Sequence, residues 1–385
     1  NYNVVVGDEA GTAITTGDNN TAIGNAALDA TTTSSDNSGI GYNALGANTT
    51  GASNTGVGSL ALFSNTTADN NTAVGKSALQ ANTTGTNNTA VGQNAGTSVT
   101  TGVENILIGN QAGDALIDAD HNVAMGYASL SADTYGSQST AIGHFALHAQ
   151  NFTSATDTNN TAVGFHSGIS VTTGDSNTFI GALAGDAINE GDSNVAVGTL
   201  ALSNDTKGDR NVAIGAAALE TQNFTTKTDS YNIGIGHAAG ASVTTGTNNT
   251  LIGGLAGDAI TTGTYNTALG YTALGANTTA TNNVAVGAFA LALNTTGEAN
   301  TAVGLAALDA NTTGASNVAV GRDALSANTT ASNNTAVGLA ALTANTTGAE
   351  NTAMGRLSLD ANTTGSDNVA IGNAALSGNT TAANN

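Results

Sequence analysis

Apolar and polar positions along this chain follow one short pattern that repeats from end to end. There are 22 copies, and most of them place an asparagine, a β-branched residue, a small residue and an aliphatic residue before a glycine, as in residues 300–304. We call this glycine the marker glycine and count positions within a copy from it. Marker glycines are 17 residues apart, except for two spacings of 21, from Gly143 to Gly164 and from Gly215 to Gly236. A short fixed period predicts a solenoid of stacked coils.

The residues before each marker glycine predict a short strand. Thr301, Ala302 and Val303 alternate between β-branched and small side chains, and most copies do the same. Such alternation is typical of a strand. We expect the aliphatic column, with Val303 and Val320, to fill the core. We expect the Ala and Gly face to be the side that another backbone or sheet approaches closely.

A second apolar column lies four positions after the marker glycine, where every copy has Leu or Gly. Wherever this residue is Gly, an aliphatic residue stands three positions later, where most Leu copies have Asn. Such an exchange predicts one shared interior that stays full, because a Leu-sized void costs roughly 2–5 kcal/mol. The core residues predicted from this exchange include Leu308 and Leu325 in the column, and Val99, Val171 and Val243 three positions after it.

An asparagine stands four residues before the marker glycine in 21 of the 22 copies. If paired strands lie about 4.8 Å apart, these amides can hydrogen-bond from coil to coil and fix the register. The C-terminal members of this predicted ladder are Asn300, Asn317, Asn334, Asn351 and Asn368. The remaining segment, of the type Ala-Asn-Thr-Thr-Gly, is typical of turns. Each copy is therefore interpreted as one coil with two short strands and two turns.

These patterns predict an all-β protein, a parallel β-roll or β-solenoid of 22 coils without helices, in which residues 1–385 form one repetitive domain. The chain starts at the beginning of one repeat and stops on the asparagine of the next, so we expect a fragment of a longer fibre. The two longer coils each carry an inserted Gln-Asn-Phe-Thr segment. We interpret it as a bulged turn or as a binding protrusion.

Composition narrows the range of partners. The 385 residues include 50 glycines and no proline, cysteine or tryptophan, and 27 acidic against six basic residues give a net charge of −21. No cationic stripe is present to bind phosphates, which disfavours nucleic acid as a partner. The absence of cysteine rules out a disulfide framework. No apolar run of this segment is long enough to predict membrane insertion, and we predict no cofactor.

The columns resemble a known family. Residues 368–375, Asn-Val-Ala-Ile-Gly-Asn-Ala-Ala, are similar to the head-domain repeat of YadA-like trimeric autotransporter adhesins. The resemblance covers all 22 copies, although the unit here has a longer turn. It implies a left-handed β-roll, a homotrimer packed through the small-residue sheets, and adhesion at the cell surface. The repeats are also similar to arrays in tail-fibre proteins that end in an intramolecular chaperone domain.

Candidate chemistry is sparse. The five histidines share no ligand spacing, and we predict no catalytic residue and no enzyme activity. Asp114, Asp186 and Asp258 recur at intervals of 72 residues with other acids nearby in sequence. Oxygen-rich turns of this kind are weak candidates for a Ca²⁺ site. Solvated turn acids are the other interpretation.

Two further features leave alternatives open. Asn-x-Thr sequons at Asn311, Asn328 and Asn345 are either glycosylation sites of a secreted protein or turn composition. The two positions after the marker glycine hold many of the larger side chains, and these form either a stripe that contacts a sugar or protein, or packing against sister chains. The stripe residues are Tyr42, Tyr127, Phe145, Phe165, Tyr271 and Phe289.

We expect an extracellular structural or adhesive fibre at the cell surface, which acts as an adhesin head or spacer. Its expected partners are further copies of itself and a host or neighbouring cell surface, a glycan or a matrix protein. The alternatives are a phage-like tail fibre, a self-assembling filament joined end to end, and an ice-binding solenoid suggested by the Thr-Thr pairs of the turns. The Thr columns lapse within the 72-residue block, which disfavours ice binding. Thermal hysteresis distinguishes ice binding from adhesion, and electron microscopy reveals filaments.

Overall fold

The computed structural model describes residues 2–385, which contain strands and turns but no helix. The chain is a parallel β-solenoid of about 22 turns with a repeat of about 17 residues, as predicted. Two compact units are present, unit 1 up to Ser193 and unit 2 from Asn194 to Asn385. No helix of residues 2–385 is long and apolar enough to cross a membrane. The single domain, the left-handed coil and the homotrimer stay predictions.

Each coil contributes one three-residue strand, the marker strand, which directly precedes the marker glycine. In unit 1 the marker strands are β1 (Val4–Val6), β2 (Thr21–Ile23), β3 (Ser38–Ile40), β4 (Thr55–Val57), β5 (Thr72–Val74), β6 (Thr89–Val91), β7 (Ile106–Ile108), β8 (Val123–Met125), β10 (Thr140–Ile142), β12 (Thr161–Val163) and β13 (Thr178–Ile180). In unit 2 they are β14 (Val195–Val197), β16 (Val212–Ile214), β18 (Ile233–Ile235), β19 (Thr250–Ile252), β20 (Thr267–Leu269), β21 (Val284–Val286), β22 (Thr301–Val303), β23 (Val318–Val320), β24 (Thr335–Val337), β25 (Thr352–Met354) and β26 (Val369–Ile371). Additional two-residue strands accompany the long coils: β9 (Gly136–Ser137), β11 (Thr156–Asp157), β15 (Gly208–Asp209) and β17 (Thr228–Asp229).

Neighbouring marker strands within a unit pair in parallel and in register. Thr301 lies opposite Val318, and Val303 lies opposite Val320. The two-residue strands also pair in parallel, β9 with β11 and β15 with β17. Because the strands pair in register, residues one period apart lie next to each other in the stack, about 4.8 Å apart. Each column of side chains therefore runs along the stack.

The segment after the marker glycine is not the second strand that the sequence analysis predicts. In regular coils it is a run of turns, because residues two and four positions after the glycine take left-handed φ values, as Ala306 (53°) and Leu308 (56°) do. The segment still stacks on its neighbour, since the Leu308 N–H donates to the Ala324 carbonyl oxygen at 3.0 Å. A regular coil therefore has one strand and a return path made of turns.

Both conformation and space require glycine at the marker position. Gly304 has a φ of 137°, and the other marker glycines have φ values between 125° and 142°. A Cβ added to Gly304 would lie 2.6 Å from the carbonyl carbon of Gly321 in the next coil. Any side chain here would be strained and would push two hydrogen-bonded coils apart.

The interior of the coil lies on the small face of the marker strands, opposite to the prediction. Ala302 is fully buried, whereas Val303 and Val320 lie on the outer face and are partly exposed. Their assignment to the core is therefore corrected. The reason is the narrow space behind the strand: a Cβ added to Gly39, in the middle of β3, would lie only 3.0 Å from the Ala44 carbonyl oxygen.

The other predicted core residues lie in this interior. Leu308, Leu325, Val99, Val171 and Val243 are all fully buried. Leu308 and Leu325 have φ values of 56° and 54°, a conformation that costs a side chain about 1–2 kcal/mol. Burying a Leu side chain contributes about 1.5–3 kcal/mol, so burial offsets the backbone strain. Glycine at the same position has no such strain, which explains why Leu and Gly share this column.

The exchange between Leu and Gly involves a third position that sequence reasoning missed. Where two consecutive coils have Gly in the Leu column, the middle residue of the second marker strand is large, and Leu107, Phe179 and Leu251 are fully buried there. A Cβ added to Gly168 or Gly185 would lie 2.8 or 2.5 Å from ring atoms of Phe179. The two glycines therefore make room for one large side chain, and the aliphatic residue three positions later fills the remaining space.

Two columns of buried asparagines connect the coils. In the predicted column, the Asn317 N–H donates to Asn300 Oδ1 at 3.0 Å, and Asn300 Nδ2 donates to the Gly314 carbonyl oxygen at 2.8 Å. In a second column, seven positions after the marker glycine, Asn311 Nδ2 donates to Asn294 Oδ1 at 2.8 Å. A buried polar group without a partner costs about 1–3 kcal/mol, so a slip of one or a few residues in the register between neighbouring coils is unfavourable.

Replacing Leu308 with Ala should lower the free energy of unfolding by about 2–5 kcal/mol, because the hydrogen-bonded coils cannot close the void. The matched control is Thr313→Ala in the exposed turn of the same coil, which should change stability by less than about 0.5 kcal/mol. Denaturant midpoints followed by circular dichroism check both values. A Leu308→Ala midpoint equal to that of the wild type would contradict an interior filled by this column.

Candidate interaction surface

The outer face of the marker strands is a partly exposed surface with an aliphatic column, which we call the outer strand face. It consists of the first and third residues of each marker strand, and the third is Val, Ile, Leu or Met in every coil. Ile106 and Leu269, for example, are 41% and 46% exposed. The Ala face is already buried inside the coil. The contact between chains through small-residue sheets, which the resemblance implied, would need this buried face. The outer strand face is instead the strand surface that is available for contact.

The predicted stripe residues reach the surface beside this face, because they stand one or two positions after the marker glycine. Tyr42 and Tyr271 are 55% and 54% exposed, whereas Phe145 is only half-exposed. The other stripe residues are also exposed: Tyr127, Phe165 and Phe289. In the single chain the stripe faces solvent. Whether it contacts a sister chain or another partner stays a prediction.

Three consecutive coils of unit 1 gather rings into an aromatic cluster. Its members are Tyr127, His144, Phe145, His148, Phe165 and His166. Tyr127 stacks on His144 with ring centroids 5.3 Å apart, and His144 stacks on Phe165 at 5.5 Å. Offset and edge contacts of this kind stabilise aromatic pairs by about 0.5–1.5 kcal/mol. The parallel register of the coils therefore joins rings that are far apart in sequence.

Three of the five histidines belong to this cluster. His148 Nδ1 lies 2.6 Å from Ser131 Oγ, one coil away in the same column. Burial lowers the pKa of His166, and the nearby His144 and His148 lower it further. Protonation of His166 is disfavoured because burial removes water from the charged ring and because the neighbouring imidazoles would repel it in their charged form. The expectation that the histidines bind no metal and catalyse no reaction stays a prediction.

Asp114, Asp186 and Asp258, the weak calcium candidates, lie five positions after the marker glycine and are half-buried. Each coil offers only one side chain at this position, and the neighbours of Asp114 in the column are Thr97 and Ser131. No group of three or more His, Asp or Glu side chains in residues 2–385 is arranged to hold a metal ion. The calcium hypothesis therefore gains no support from the geometry.

Burial disfavours the charged form of the aspartates at this position. It raises the pKa of Asp114, Asp186, Asp258 and Asp309, and hydrogen bonds from the backbone oppose the shift only in part. A carboxylate whose pKa is raised in the fold binds its proton more tightly there than in the unfolded chain. These four residues therefore destabilise the fold at neutral pH, and this effect disappears as the pH falls.

Asp309→Asn should stabilise the protein at pH 7, because it removes a half-buried charge. Both states of the wild type are ionised at pH 7, and the folded state takes up the proton first as the pH falls through its raised pKa. The stabilisation should therefore shrink and vanish near pH 3, below the ordinary pKa of 3.8. Melting temperatures at both pH values check this. Glu298→Gln, at an exposed position, is the control, and an Asp309→Asn variant no more stable than wild type at pH 7 would refute the argument.

Each 21-residue coil is anchored on a buried aspartate of the coil before it, where the aspartate replaces the asparagine of the second column. Asp133 is fully buried. Its Oδ1 accepts the N–H groups of Gly136 at 3.1 Å and Phe152 at 3.0 Å, and its Oδ2 accepts Gln150 Nε2 at 2.6 Å. In unit 2, Asp205 accepts the equivalent bonds. The inserted segments therefore serve as bulged turns with their own polar anchor.

Asp133→Asn should destabilise the protein by about 1–3 kcal/mol, although asparagine is the usual residue of the column. An amide has one acceptor fewer, and Gln150 cannot turn over because its Oε1 accepts Asn160 Nδ2 at 2.9 Å. One buried donor then loses its acceptor. Asp157→Asn, at an exposed position of the 21-residue coil that Asp133 anchors, is the matched control. Equal denaturation midpoints for the two variants would show that the anchor is dispensable.

The sequons and the Thr-Thr pairs lie side by side in the turns but differ in exposure. Asn311, Asn328 and Asn345 are fully buried, so the folded coil hides their amides from a glycosylating enzyme and favours the turn interpretation.

The Thr312 hydroxyl donates to a carbonyl of the next coil at 3.0 Å, whereas Thr313 is exposed. The Thr-Thr pairs run through nine consecutive coils within residues 244–381. The ice-binding alternative depends on the exposed column that contains Thr313, and it stays a prediction.

Comparison of the chain with protein-family models and with curated proteins gives no match. The likeness to YadA-like head repeats therefore consists of the repeat motif, and the fold established here is that of a β-solenoid repeat protein.

Proposed function

We propose that this chain is a structural and adhesive segment of an extracellular fibre, and that it works as a homotrimer. The proposal rests mainly on the outer strand face. It keeps an aliphatic side chain at the same position, the third residue of the marker strand, in all 22 coils, and those of Ile180 and Leu269 are more than one-third exposed. Long apolar surfaces of this kind either bury themselves against a partner or cause aggregation.

A second copy of the chain is the partner that fits this face best. The face repeats once per coil, so its partner must repeat with the same period, and another copy does so. The columns contain Thr, Val and Ile rather than charged residues. Two chains that each carry a net charge of −21 can therefore meet there without placing like charges in contact. Identical chains favour closed symmetry, and the resemblance to YadA-like repeats favours three chains.

The adhesive part of the proposal depends on the aromatic stripe. The stripe adjoins the outer strand face, so in an assembly it would border the contact between chains and remain accessible. Tyrosine and phenylalanine provide large contact areas at a recognition surface. We propose a host or neighbouring cell surface, a glycan or a matrix protein as the partner, and cell-surface localisation. A phage-like tail fibre or an end-to-end filament would use the same outer strand face.

The mass of the full chain in solution tests the assembly. Light scattering after gel filtration should give three times the mass of one chain. The variant Val303→Lys/Val320→Lys should be a monomer with an unchanged circular dichroism spectrum, because buried ammonium groups without partners are unfavourable in an interface.

The matched control is Thr296→Lys/Thr313→Lys, which adds the same charges to exposed turns and should leave the trimer intact. A monomeric wild type at micromolar concentration, or a trimeric Val303→Lys/Val320→Lys variant, would overturn the proposed assembly.

A further inference from the structure

A groove of about 420 Å³ crosses several coils of unit 1, away from the outer strand face and the stripe. One wall is formed by residues five and six positions after the marker glycine, and the other wall includes Thr100 and Ile117, eight positions after it. All of these residues are half-buried. The volume lies within the range of roughly 300–1,000 Å³ that is typical of sites for small ligands.

Four polar side chains in the groove are free to bind a ligand. Ser64, Gln80, Thr97 and Ser98 line it, and their side chains form no hydrogen bond with any other residue in the described range 2–385. The same column behaves differently elsewhere, since Ser326 Oγ lies 3.0 Å from Thr343 Oγ1 in unit 2 and the two hydroxyls satisfy each other. The groove therefore offers hydroxyl and amide groups that both donate and accept hydrogen bonds.

The walls of the groove are held by the stacking of the coils. The Ser64 N–H donates to the Gln80 carbonyl oxygen at 3.0 Å. On the other wall, Thr100 Oγ1 donates to the Ile117 carbonyl oxygen at 3.1 Å. A ligand therefore meets a preformed site and does not have to order its backbone.

The groove contains no charged side chain. The next residue after Thr97 in its column is the acidic Asp114, and the chain as a whole carries a net charge of −21. An anionic ligand would find no cation to pair with and would be repelled. A cationic ligand would find no carboxylate among the lining residues. These features favour an uncharged ligand.

We propose that this groove binds a neutral saccharide chain that lies along the stacked coils. Successive coils present a polar group about every 4.8 Å, which suits a ligand with regularly spaced hydroxyl groups. Ala81 and Ile117 provide apolar contact for the C–H faces of the sugar rings. The site is separate from the proposed interface between chains and from the stripe, and it gives the proposed adhesive role a saccharide site of its own.

Isothermal titration calorimetry on the full chain tests the proposal with maltohexaose, cellohexaose and chitohexaose as neutral probes and a hyaluronan hexasaccharide as the anionic probe. At least one neutral probe should bind and the anionic probe should not. Gln80→Ala/Thr97→Val should weaken binding at least tenfold, because it removes two polar contacts. Gln93→Ala is the matched control, since it removes an exposed amide in the same coil as Thr97 but outside the groove, and it should change the affinity less than twofold.

The proposal is overturned if no neutral probe binds at millimolar concentration, if the anionic probe binds equally well, or if the double variant binds like the wild type. Light scattering on the same samples separates this result from the proposed function. A trimer that binds no saccharide refutes the groove alone, whereas a monomer that binds refutes the assembly alone.

Discussion

The structure depends on the narrow space between the marker strand and the return path of the same coil. Backbone hydrogen bonds between coils fix both walls, so the width cannot adjust to a larger side chain. The strand can therefore contribute only Ala or Gly to the interior in most coils, and one Leu per coil fills the rest. A larger strand residue such as Phe179 fits only where Gly168 and Gly185 vacate the Leu column. Close packing thus couples three positions in adjacent coils.

The same stacking explains the unusual backbone. Each regular coil turns sharply enough to need several residues with positive φ, including the marker glycine and Leu308. This strain is offset by burial and by the asparagine columns, which give each coil side-chain hydrogen bonds to its neighbours as well as backbone ones. A single coil has neither neighbour, so its strain would be uncompensated. Stability in such a fold comes from the contact between repeats.

The narrow interior also determines what the chain presents to a partner. Because the β-branched side chains cannot fit inside, they form the outer strand face, and the chain is left with an apolar surface that repeats with every coil. The variable side chains are confined to positions where the stack leaves space, beside that face and in the groove of unit 1. The regular positions therefore favour assembly, and the variable positions favour recognition.

The sequence by itself determined the period, the all-β class, the asparagine column and the exchange between Leu and Gly, because each of these leaves a repeating signature. It also predicted that Leu308 and Val99 share one interior. Only the tertiary structure decided which face of the marker strand points inward. A period of two defines two faces but not their direction, and hydrophobicity alone favoured Val303 over Ala302. The deciding quantity was the distance to the opposite wall, which depends on how the whole coil closes and stacks.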